Sequence, residues 1–112
     1  MFRIFEEVNG QPATLFHGVK GSRKLPLNIW IKSETKMVKE GTNGTLYKSG
    51  FHVLSSKEDV VKFAKVFKNR KNRFIVKVDA LNLRRKKNSK SPIFLAKKMR
   101  IDQKDWEKRI PI

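Results

Sequence analysis

A chain of 112 residues with 27 Lys/Arg against 10 Asp/Glu and no cysteine has material for one domain and one core. Hydrophobic residues make up 38% of it, eight Phe and two Trp among them, which excludes wholesale disorder even at a formal charge of +17. The lack of cysteine excludes a disulfide scaffold and Cys-ligated zinc, and it suits a reducing compartment. Apolar runs reach only a few residues, far short of the roughly 20 that span a bilayer. Arg3, Glu6 and Glu7 around a short apolar run do not read as a secretory signal. The expectation is a single compact domain over residues 1–112, cytoplasmic, with no membrane partner.

In chain order, Phe2–Val8 and Gln11–His17 are β-rich segments around Asn9-Gly10, a strong hairpin signal. Pro12 places the start of the second strand on a sheet edge. After Gly18, Gly21 and Ser22, Pro26 suits the first turn of a helix. Leu27, Trp30, Ile31, Glu34, Met37 and Val38 fall near helical spacing, and Gly41 is its stop. Thr42–Ser49 reads as a polar loop, and Phe51–Leu54 as a short strand opened by Gly50. Ser55 and Glu58 have capping-box spacing, with Ser56 and Asp59 a weaker version. The helix they start carries Val60, Ala64 and Phe67 on one stripe, widened by Val61 and Phe63, with Lys62, Lys65 and Lys68 outside. Phe74–Asp79 is the clearest strand, with Phe74, Val76 and Val78 alternating toward a core. Leu81 and Leu83 precede a basic loop at 84–91, and Pro92 introduces another strand, Ile93–Ala96. Asp102–Arg109 suits one or two helical turns in which Trp106 packs. The pattern is α+β: a small, mainly antiparallel sheet with two or three helices packed on it.

The charge is lopsided. Residues 1–56 hold eight Lys/Arg and four Asp/Glu; residues 57–112 hold nineteen and six. The densest stretch is Arg84-Arg85-Lys86-Lys87 with Lys90, and a second cluster is Lys68, Arg70, Lys71 and Arg73. Such a surplus points to a polyanion, with nucleic acid first and an acidic protein second; a merely solvated surface is the plain alternative. Phe51, Tyr47 and Trp30 could each stack a base. Phe51 in a strand and Trp30 on a helical stripe are expected in the core, which leaves Tyr47 beside Lys48 as the ligand-facing aromatic.

The only two histidines sit at strand ends beside glycine, in Phe16-His17-Gly18 and Gly50-Phe51-His52. Each is a usable donor, acceptor or acid–base group near neutral pH, or else bonds a neighbouring carbonyl. No HExxH, GxxxxGK[ST] or GxGxxG occurs, and two His without Cys make a weak zinc set, so no metal is expected.

The order Leu15-Phe16-His17-Gly18-Val19, a helix, Gly50-Phe51-His52-Val53-Leu54-Ser55 and Val78-Asp79-Ala80 resembles the ADP-ribosyltransferase superfamily, nearest to its RNA 2′-phosphotransferase branch. Pro92-Ile93-Phe94-Leu95-Ala96 is similar to that branch's final apolar strand. The resemblance covers roughly residues 14–101 and implies an ADP-ribosyltransferase-like fold with NAD as cofactor. It implies that His17 and Gly18 contact a ribose or its phosphate, with His52 and Ser55 in the same cleft. His17 and His52 are then the catalytic candidates. The ligand-binding candidates are Gly18, Tyr47, Ser55, Arg84, Arg85, Lys86, Lys87, Lys90 and Arg100. The family's late glutamate has no match here, since Glu107 lies beyond the final strand. An arginine that the resemblance also implies for the site would be Arg84, Arg85 or Arg100. Binding of a phosphate-rich ligand is therefore the leading expectation, with NAD-dependent transfer or non-catalytic nucleotide binding as alternatives.

Overall fold

The computed structural model describes residues 1–14, 24–33, 37–39, 46–48, 50–68, 70–86 and 92–112, with only the backbone of 37–39 and 46–48. In chain order the elements are β1 (Phe2–Val8), β2 (Gln11–Ala13), β3 (Trp30–Lys32), β4 (Met37–Lys39), β5 (Leu46–Lys48) and β6 (Phe51–Leu54). There follow α1 (Lys57–Ala64), β7 (Arg73–Lys77), β8 (Asp79–Arg85), β9 (Ile93–Arg100), α2 (Gln103–Glu107) and β10 (Ile110–Pro111). Among the described residues eight strands form one sheet, β4 and β5 pair separately, and every pairing is antiparallel. The coarse α+β reading holds, with two helices among the described residues.

The Asn9-Gly10 turn takes φ of 52° and 79°, the left-handed pair that a two-residue hairpin needs. It sets Glu6 opposite Ala13 and Val8 opposite Gln11. On its other edge β1 pairs with β7, from Phe2–Lys77 to Glu6–Arg73. Paired residues share a face, so Phe5 meets Phe74 on one side and Ile4 meets Ile75 on the other. Both faces are buried. Phe5, Phe51, Val53, Val76, Val78, Ala96, Met99, Ile101, Leu25 and Trp106 form one cluster. Ile4, Leu54, Ile75 and Ile93 form a second under Val60 and Ala64 of α1. The predicted alternation of Phe74, Val76 and Val78 is correct; Ile75, between them, is buried as well.

β7 and β8 are one run of chain bent at Val78, whose amide donates to the Met1 carbonyl at 2.8 Å. Before the bend it pairs with β1, and after it with β9. β6 pairs with β9 along its length and with β1 at Phe2–Leu54. These pairings, joined by the continuous chain of β7 into β8 at Val78, run in a ring β1–β6–β9–β8–β7–β1 around the first cluster. β1 leaves β6 after that single pair. Where they part, Arg3 reaches across and donates to the His52 carbonyl at 3.1 Å. Its guanidinium lies 5.4 Å and 5.6 Å from the Phe5 and Phe51 ring centres, so cation–π attraction holds it there.

Several expectations are corrected. The helix expected from Pro26 is not formed over the described residues. Asn28 has φ 63°, Trp30–Lys32 pairs with β9, and Met37–Lys39 pairs with β5. A left-handed residue two positions after Pro26 ends any helix there, and the partner strand lies some seventy residues away, out of reach of local periodicity. Leu46–Lys48 is strand rather than loop. Arg84 and Arg85 end β8 rather than open a loop. Ser56, not Ser55, caps α1: its Oγ accepts the Asp59 amide at 3.1 Å, because the helix starts one residue later than the stronger box implies. Val61 faces solvent instead of widening the apolar stripe.

Trp106 packs as expected, and α2 is tied down around it. The indole donates to the Gly10 carbonyl at 3.0 Å. Arg109 lies 4.5 Å from the indole centre and 5.0 Å from that of Phe74, and it bonds Glu7 at 2.6 Å. Asn28 Oδ1 accepts the Gln103 amide at 2.8 Å, adding a cap from the far end of the chain. Trp106→Ala is expected to lose about 3–5 kcal/mol in urea unfolding. Val61→Ala, at 43% exposure, should stay within about 0.5 kcal/mol of the parent. A large loss in Val61→Ala would mean that α1 packs the other way round.

Candidate functional site

Between Asp79 and Asp102 the sequence has no acidic residue, and it carries Arg84, Arg85, Lys86, Lys87, Lys90, Lys97, Lys98 and Arg100. Most of that run is the β8–β9 hairpin, paired from Asp79–Arg100 to Arg85–Phe94. The ladder decides where each cation lies. Arg84, Leu95 and His52 stand in one row across β8, β9 and β6. Lys86 lies two residues further on along the same face, its amide donating to the Ile93 carbonyl at 2.9 Å. Arg85 falls on the opposite face, where its guanidinium lies 5.6 Å from the centre of the Phe94 ring.

Toward the other end of the hairpin the alternation breaks. Ala96 and Met99, three residues apart, both enter the inner cluster, so Lys97 and Lys98 are both left exposed. Asn82, between the pairs Leu81–Lys98 and Leu83–Ala96, has φ 57°, and the Lys97 carbonyl turns to accept the Ser33 amide at 2.8 Å. A sheet this small closes only by bending sharply, and this is one of its bends. Beyond the break β9 has β3 on one side and β8 on the other. Ile31, Met99 and Ala80 form an inward row. The outward rows are Lys32–Lys98–Leu81 and Trp30–Arg100–Asp79.

Trp30 is 45% exposed and Leu81 is 46% exposed. Together with Ile31, Lys32 and Lys98 they line a shallow hollow of about 240 Å³. That is below the roughly 300–1,000 Å³ of sites that enclose a small molecule. Trp30 was expected in the core; as the first residue of β3, on its outward face, it stands in solvent. A sequence signal existed in the adjacent Lys97-Lys98 pair, which cannot alternate inside a half-buried strand. Nothing local marked Trp30, because its exposure follows from pairing with Arg100.

His52 is mostly buried on the outer face of β6. Burial, with the charges of Arg3 and Lys86 adding to it, pushes its imidazole from 6.5 down to about 3, against a hydrogen bond to the Gly50 backbone. It is neutral at pH 7. It therefore supplies no charge to a phosphate and is not poised as an acid at that pH. Gly50 is required beside it, since a Cβ there would sit 3.1 Å from the Ala96 carbonyl oxygen and 3.2 Å from the Leu95 Cβ.

Of the other candidates, His17, Gly18, Lys87 and Lys90 lie outside the described residues, as does the side chain of Tyr47. Phe51 is buried, as expected. Ser55 is exposed next to the α1 cap, where Glu58 and Asp59 in the first turn disfavour an anion. Arg100 lies 3.9 Å from Asp102, and about a third of its side chain remains exposed. Three further arginines serve the fold through aromatic rings: Arg3, Arg109, and Arg73 over Phe67 at 5.3 Å. Among the described residues no group of three His, Cys, Asp or Glu could hold a metal ion. Nor is any of their helices long and apolar enough to cross a membrane. What the arrangement offers chemically is clustered positive charge next to exposed apolar and aromatic surface.

Comparison with protein families, with curated proteins and with solved structures finds no match for this chain. The likeness to the ADP-ribosyltransferases thus stays with the short motifs that carry it.

The shifted imidazole gives a pH signature. Below pH 6.5 the unfolded chain takes up a proton at His52 that the folded one refuses until about pH 3, so stability falls by about 1.4 kcal/mol per pH unit across that window. Urea unfolding at about pH 7 and about pH 5.5 should show the parent losing about 1 kcal/mol more than His52→Gln. Equal losses in both proteins would place His52 in solvent.

Proposed function

We propose that the protein binds nucleic acid through the β8–β9 hairpin. The observation that carries this is the stretch between Asp79 and Asp102, where eight Lys/Arg and no carboxylate fall on two neighbouring strands of the sheet and the segment joining them. A phosphate polymer releases counterions from each cation that meets it, so closely spaced charges along a ribbon add up. Arginine's planar fork also suits phosphate oxygens. An acidic protein would meet the same charges, but it offers no comparable regular line of them. Transfer from NAD is the weaker reading for this site. By resemblance it leans on His17 and Gly18, outside the described residues, and on His52, which is buried and neutral.

The test is binding of labelled single-stranded and duplex oligonucleotides, measured by anisotropy between about 50 and 200 mM salt. Affinity should fall steeply with salt. Removing three exposed hairpin cations in Arg85→Ala/Lys97→Ala/Lys98→Ala should flatten the log–log slope by about 2–3. The helix triple Lys57→Ala/Lys62→Ala/Lys65→Ala makes the same change in net charge and should leave the slope within about 1 of the parent. Equal weakening by both triples would show that total charge, not the hairpin, drives binding. A parent protein without measurable affinity at the lowest salt would end the proposal.

A further inference from the structure

Resting on that reading, we infer that the hollow beside the β3 end of the hairpin is a base-stacking subsite, which makes an unpaired strand the preferred form of the ligand. Trp30 and Leu81 give the hollow its exposed apolar side chains, and Lys32 and Lys98 give it charge. The ladder explains the arrangement. Lys32, Lys98 and Leu81 form one outward row, and Trp30, Arg100 and Asp79 form the next. Rows two residues apart on one face are separated by about 7 Å, so an ammonium or guanidinium stands within one side chain's reach of the indole. Three cations, Lys32, Lys98 and Arg100, thus flank the exposed ring, facing the two carboxylates Asp79 and Asp102 at one end.

This combination selects an occupant. Trp30 and Leu81 are each about half exposed and line the same hollow, so it presents an aromatic and an aliphatic side chain to a ligand. The surrounding cations match a phosphate backbone better than a second copy of a chain carrying +17. At about 240 Å³ the hollow is open and small, so it takes a single ring system while the rest of the ligand stays outside. A base meets those terms when its face is unpaired and its phosphates run over lysines; in an intact duplex that face is already stacked. The other tryptophan, Trp106, is buried and bonded to the Gly10 carbonyl, so it offers no competing platform.

The probes are an oligothymidine and an oligouridine of about ten nucleotides and a blunt duplex of equal length. Trp30→Ala is expected to bind the single strands roughly 5- to 100-fold more weakly, while duplex affinity stays within about twofold. Trp30→Phe, which keeps an aromatic face, should restore most of the loss. In the parent protein, tryptophan emission should be quenched by the single strands and not by heparin; this readout needs no variant to fold. Three outcomes overturn the inference and leave the hairpin proposal standing. They are unchanged single-strand affinity in Trp30→Ala with the salt slope retained, equal loss for single strand and duplex, and a parent dimer that Trp30→Ala converts to monomer. Absence of any polynucleotide binding by the parent overturns both.

Discussion

The bend at Val78 is the constraint on which the rest of the molecule turns. One uninterrupted run of chain serves two different partners, β1 before the bend and β9 after it, with the Val78 amide held by the Met1 carbonyl and its side chain buried. Closure of the ring gives the sheet an inside, filled by Phe5, Phe51, Met99 and their neighbours, and an outside. Burial of apolar surface is the dominant favourable term in folding, so a sheet of this size needs both faces used. The two short helices among the described residues do not cover all of the outside. α1 covers the part formed by Ile4, Leu54, Ile75 and Ile93, and α2 is fastened through Trp106 and Arg109. The outward rows of β3, β9 and β8 are left over, and there the chain places lysine, arginine, Trp30 and Leu81.

A formal charge of +17 on 112 residues makes self-repulsion a standing cost to compactness. Part of the positive charge is offset by work within the fold. Arg3 stands where β1 departs from β6 and donates to the His52 carbonyl. Arg109 clamps α2 to β1 through Glu7 and to two rings, and Arg73 lies over Phe67. Each such contact is worth about 0.5–2 kcal/mol, which is enough to hold an arginine in one place. The hairpin lysines Lys97 and Lys98 stand in the exposed set instead. This division separates cations that the fold explains from cations that call for a partner.

What was legible in the sequence follows from how local each determinant is. The Asn9-Gly10 hairpin, α1 to within one serine of its cap, the alternating strand around Val76 and the buried Trp106 were readable, because turn chemistry, capping and periodicity act over a few residues. β3, β4 and β5 were not. Three-residue strands are too short to show alternation, and the partner of Trp30–Lys32 lies in β9. The apolar spacing of Leu27, Trp30 and Ile31 fits a helix, yet Asn28 in the left-handed region breaks it there. The excess of charge in the second half was plain from composition. Its placement on a hairpin was not, since Arg84 and Arg85 read as loop until paired with Leu95 and Phe94.

The same distinction reorders the candidate residues. Histidine draws attention in a sequence because its unperturbed pKa lies near neutrality, but that property survives only where water or an anion can stabilise the imidazolium. His52 sits in a row with Leu95 and Arg84, its ring removed from water and faced by positive charge, so its titration is driven out of the neutral range. Tryptophan reads as core because burying it yields more than burying almost any other side chain. At Trp30 the ladder overrides that preference, since the inward position of that part of β3 is taken by Ile31 against Met99. Strand register, set by residues far away in the chain, decides which side chains can act. The chemically conspicuous residue becomes part of the framework here, and the apolar one becomes the exposed surface.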